Sequence, residues 1–69
     1  MKLPIDFDFK RTGLNSWALF YQNKETDHKV TYNGKVYVYS LDKDVFVAST
    51  LEMAQLSLVM DYIKYHQDD

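Results

Sequence analysis

Asn33-Gly34 is the feature that most restricts how this chain can fold. A two-residue Asn-Gly loop is the preferred type I′ hairpin turn, because both central residues need a positive φ. Lys29-Val30-Thr31-Tyr32 precedes it and Lys35-Val36-Tyr37-Val38-Tyr39 follows it. β-branched and aromatic residues fill both flanks, as strands prefer. With Asn33 and Gly34 as the loop, Tyr32 opposes Lys35, Thr31 opposes Val36, Val30 opposes Tyr37 and Lys29 opposes Val38.

Further strands surround this hairpin. Ile5 to Lys10 alternates apolar and polar, which puts Ile5, Phe7 and Phe9 on one face. Residues 11–16 contain Gly13 and Asn15 and read as a turn. Trp17-Ala18-Leu19-Phe20-Tyr21 is a continuous apolar run, as in a strand covered on both sides, and residues 22–27 read as a polar loop. Asp42 and Lys43 form the next tight turn, so Ser40 opposes Val45, Tyr39 opposes Phe46 and Val38 opposes Val47. The period changes at Ser49, where Glu52 three residues on completes a capping box and starts a helix at Thr50. The last residues, 66–69, read as a fraying end. The expected fold is a single α+β domain over residues 1–69. It is a small antiparallel meander of four to five strands, near 4–10, 17–22, 28–33, 35–40 and 44–48. One C-terminal helix, near 50–66, packs on one face.

The hairpins sort their residues into two faces. One carries Val36, Val38, Val45 and Val47; the other carries Val30, Tyr32, Tyr37, Tyr39 and Phe46. One helix covers only one of them. The valine face is assigned to the helix, because tyrosine hydroxyls suit a partly wet surface. The aromatic face then either contacts a partner or closes over Phe7 and Phe9 as a second core.

The helix has two stripes as well. At about 100° per residue, Leu51, Ala54, Leu58, Tyr62 and Tyr65 form one. Leu56, Met60 and Ile63 form the other, with Met53 beside them and Val59 bridging the two. Ser57, Asp61 and Lys64 make the polar strip. That apolar arc is wider than a one-sided surface helix needs. Either the helix sinks into a curled sheet, or the second stripe is an interface with a copy of the chain or a partner.

Chemistry is hard to place on these residues. The absence of cysteine removes disulfides and thiolate chemistry. Two glycines and one proline exclude glycine-rich phosphate loops and collagen. His28 and His66 lack neighbours at metal-ligand spacing, and His66 with Asp68 and Asp69 falls short of a built site. Asp6 with Asp8, and Asp42 with Asp44, read as solvated carboxylates. No catalytic, cofactor-binding or metal-ligating residue is expected, and the chain is read as no enzyme. Lys24, Lys29, Lys35 and Lys43 lie among the tyrosines, as in single-strand binders. Glu25, Asp27, Asp42 and Asp44 cancel them, and the net charge is -2. With neither an apolar run long enough to span a membrane nor a signal-peptide core, the expected location is the cytoplasm.

One resemblance bears on function. Val45-Phe46-Val47-Ala48-Ser49-Thr50-Leu51-Glu52-Met53-Ala54, followed by Asp61-Tyr62-Ile63, resembles a pattern common in short phage and prophage accessory proteins. It covers about a third of the chain. The resemblance implies a small, cysteine-free binding protein of the class that includes anti-CRISPR and other anti-defence inhibitors. It carries no contact residue with it.

The functional expectation is a non-enzymatic protein-binding module, an inhibitor or adaptor that occludes a larger protein. Tyr32, Tyr37, Tyr39 and Phe46 would supply apolar anchors, with Lys35 and Lys43 at the rim. A homodimer through the second helix stripe is the next reading. Single-stranded nucleic-acid binding through Tyr and Lys on the sheet is the third.

Overall fold

The computed structural model describes residues 6–66. Five strands and one helix follow one another along the chain: β1 Phe7–Gly13, β2 Ser16–Tyr21, β3 Lys24–Tyr32, β4 Tyr37–Leu41, β5 Asp44–Ala48 and α1 Leu51–Tyr65. The strands form one antiparallel sheet in the order β1-β2-β3-β4-β5. This is the expected α+β meander with a C-terminal helix packed on it. Among the described residues, no helix is long and apolar enough to cross a membrane. Ile5 and residues 67–69, read above as strand start and fraying end, lie outside the described residues.

The turns differ from expectation in three places; in the first, β1 runs on to Gly13 and β2 begins at Ser16, so the turn expected over residues 11–16 shrinks to Leu14 and Asn15. Residues 33–36, not Asn33-Gly34 alone, connect β3 to β4, and Tyr32 pairs with Tyr37 rather than Lys35. Asn33 explains the longer loop. Its side-chain Oδ1 accepts from the backbone N–H groups of Lys35 at 2.9 Å and Val36 at 3.0 Å. Its own N–H donates to the Val36 carbonyl at 3.2 Å, and Gly34 supplies a φ of +99°. An Asn side chain that caps its own loop competes with the two-residue turn. The register moves by two residues, so every side chain keeps its face. The tight turn with two positive-φ residues falls instead at Gln22 and Asn23, with φ 53° and 65°. Residues 24–27, expected in a polar loop, therefore belong to β3, and Tyr21 pairs with Lys24.

Two irregularities interrupt the ladders. Pairing shifts between Ala18 and Phe20 across β2 and β3. There the Thr26 hydroxyl donates to the Leu19 carbonyl at 2.8 Å and accepts from the His28 N–H at 3.2 Å. A second shift, between Arg11 and Gly13, loosens the β1–β2 end. The β4–β5 register matches expectation at Val38–Val47, Tyr39–Phe46 and Ser40–Val45.

The helix lies on the opposite face from the one assigned above. Leu19, Val30 and Tyr39 from the sheet meet Ala54, Leu58 and Val59 from α1 in one buried core. Phe7, Phe9, Trp17, Tyr37, Ala48, Leu51 and Tyr62 pack around it. Val45 and Val47 are instead 68% and 66% exposed. The reason lies in β1 to β3, which the two hairpins alone do not reveal. The register aligns Tyr39 with Val30, Val30 with Trp17, and Phe9 with Leu19. The valine side continues into Asp8, Lys10, Glu25 and Lys29, which are all exposed. A helix seated there would strip water from four charges. Seated on the aromatic side, it buries the larger rings, and a domain this small depends on that area. Phe7 and Phe9 thus join the main core and do not form a second one.

Helix initiation shifts by one residue. Thr50, not Ser49, is the N-cap, with extended backbone (φ -130°, ψ 154°) and a hydroxyl accepting from the Met53 N–H at 3.1 Å. Ser49 directs its hydroxyl to the Met53 sulfur at 4.0 Å. The sheet-facing stripe is as expected at Leu51, Ala54, Leu58 and Tyr62, but Tyr65 is half exposed.

Candidate functional site

The six residues expected to form one contact face are divided by the helix. Tyr39 is 3% exposed, inside the core. Its hydroxyl donates to Asp61 Oδ2 at 2.8 Å, so the polar tip of the ring is satisfied without water. Burial, together with that hydrogen bond and the nearby Asp61 charge, pushes the Tyr39 phenol above its ordinary value. Asp61 is correspondingly half-buried against the sheet rather than part of an outer polar strip. Phe46 stacks on Tyr39 with ring centres 5.1 Å apart and 19° between planes. It sits beside the helix at the sheet edge. Lys43 is exposed in the β4–β5 turn, at the opposite end of the sheet from Lys35.

Tyr32 and Tyr37 do come together. Their rings are 4.6 Å apart, and Trp17 reaches Tyr37 at 5.9 Å. All three are half-buried, and Lys35 is exposed in the adjacent loop. Part of the expected aromatic surface therefore survives, with Trp17 added to it. The continuous apolar run of β2 concealed that residue's role.

The larger exposed apolar feature is the back of α1. Met53, Leu56, Met60 and Ile63 follow a 3-4-3 spacing, the a/d pattern of a helical seam. They are 55%, 41%, 55% and 40% exposed. The stripe points away from the sheet, since Ala54, Leu58 and Val59 occupy the other side. The sunken-helix alternative is thereby overturned: α1 is covered on one side only.

A third group gathers around Tyr62. Phe7, Tyr21, His28 and His66 place their rings 5.7, 6.0, 5.5 and 4.3 Å from it. Sequence spacing alone could not bring the two histidines to one ring. Two shallow clefts of about 360 and 390 Å³ share Tyr21, Tyr62 and His66. Among the described residues, no three His, Asp or Glu side chains converge as a metal site. The grouping of His66 with Asp68 and Asp69 extends outside the described residues.

Comparison with protein-family models, with curated proteins and with solved structures gives no match.

Proposed function

We propose that the chain is a non-enzymatic protein-binding module, an inhibitor or adaptor that acts by covering part of a larger protein. One observation carries this reading: four large apolar side chains at seam spacing on the solvent side of α1. Surface helices of small domains ordinarily keep that side polar. Anchors at such spacing suit a hydrophobic groove on a partner, and two methionines suit one of irregular shape. The contact surface thus moves from the middle of the sheet to the back of the helix. Tyr32, Tyr37 and Trp17 remain as a separate half-exposed aromatic group. Occlusion by a small, cysteine-free domain also fits the phage accessory class that the C-terminal third resembles.

The test is retention from nuclease-treated lysate by the immobilised wild type and by a Leu56→Glu/Met60→Glu variant. Both positions are exposed, so the variant stays folded at a cost of about 1–2 kcal/mol in stability, read by urea melt. One stoichiometric protein, held by the wild type and lost by the variant, is the expected result. Equal retention by both refutes the helix assignment. Retention of nothing, or of nucleic acid alone before nuclease treatment, refutes protein binding.

A further inference from the structure

We propose that β5 is a docking edge for a second copy of this chain, pairing antiparallel with its own counterpart so that two sheets continue as one. The two ends of the sheet differ in kind. β1 carries Asp8, Lys10 and Arg11, and its pairing is irregular between Arg11 and Gly13. Arg11 folds back to donate to the Gly13 and Leu14 carbonyls at 3.1 and 2.6 Å. Charges and a bulge are the usual devices that keep an edge from pairing. β5 has neither along Val45, Phe46, Val47 and Ala48, and its ladder with β4 runs without a shift. Among the described residues, its outer backbone edge has no neighbouring strand in the sheet order. α1 packs over the face of the sheet that carries Val30 and Tyr39, and Asp44 to Val47 of β5 are exposed.

The strand matches itself. A register centred on Phe46 sets Val45 opposite Val47 of the copy and Asp44 opposite its Ala48. No like charges then face each other, and apolar pairs meet across the join. A two-fold axis through the sheet keeps both helices on one side. The valines then form a continuous ribbon on the other side, and the two Phe46 rings lie between the helices.

Area sets the strength. Val45, Phe46 and Val47 are 68%, 36% and 66% exposed. Together they present on the order of 300 Å², against roughly 800 Å² per partner in a standard interface. The pairing is therefore weak and depends on concentration. It is independent of the helix stripe, which stays open in this dimer.

Sedimentation equilibrium from micromolar to millimolar chain tests it. The wild type shifts from monomer to dimer mass across that range. Val45→Lys, an exposed change that leaves the melt intact, weakens association at least about tenfold, since symmetry counts each lost pair twice. Val45→Lys/Val47→Glu restores it, because antiparallel pairing sets each lysine opposite a glutamate. Met60→Lys dimerises like the wild type. A wild type monomeric at millimolar concentration overturns the proposal. So does a dimer that survives Val45→Lys, or one lost in Met60→Lys, which would place the contact on the helix.

Discussion

Leu58 and Leu56 offer a matched test of which side of α1 holds the fold. Both are leucines in one helix, two residues apart, so Leu→Ala changes helix propensity equally at each. Leu58 is 0% exposed between α1 and the sheet. Truncating it removes buried methyl groups and leaves a cavity, which together cost about 3–5 kcal/mol. A domain of this length has on the order of 3–10 kcal/mol in total, so Leu58→Ala brings it close to unfolding. Leu56 is 41% exposed with no sheet beneath it. Its truncation costs about 1 kcal/mol or less. Urea melts followed by the helix circular dichroism signal read both values on one scale. The expected difference between the variants is at least about 2 kcal/mol. Equal losses, or a larger loss at Leu56, refute the packing of α1 described here.

Two further outcomes follow from single residues. Thr50→Ala removes the cap on Met53 N–H and costs about 1 kcal/mol, whereas Ser49→Ala stays within about 0.5 kcal/mol, again by urea melt. The Tyr39 phenol titrates higher in the folded chain than in the unfolded one. Folding stability is therefore full below the ordinary tyrosine value and falls as pH rises above about 10, by at most about 1.4 kcal/mol per pH unit. Tyr39→Phe loses about 1–2 kcal/mol at neutral pH, and its alkaline decline is shallower than that of the wild type. Parallel declines in the two proteins contradict the buried Tyr39–Asp61 hydrogen bond.

Much of the architecture is local and therefore readable along the chain. Alternation and turn residues specify four to five strands, Asp42-Lys43 specifies the β4–β5 register, and the glycine-free run after Thr50 specifies the helix; the strand ends at residues 11–13 and 24–27 were not legible. The Gln22-Asn23 turn escaped because glutamine carries little preference for positive φ, and the Asn33 loop widened because its side chain found two backbone donors. Neither change disturbed a face, since both left the period of two intact.

The choice between faces is of another kind. Within the two hairpins, valines and tyrosines are both acceptable beds for a helix, and residue type favoured the valines. Pairing across all five strands decided otherwise, by joining Tyr39 to Val30, Trp17, Leu19 and Phe9 on one side and the valines to a charged surface on the other. Asp61 then gave the buried tyrosine hydroxyl its acceptor from 22 residues away. Strand periodicity fixes which side chains travel together. Which group is covered is settled by the assembled sheet, because desolvation acts on the whole face and not on any one strand.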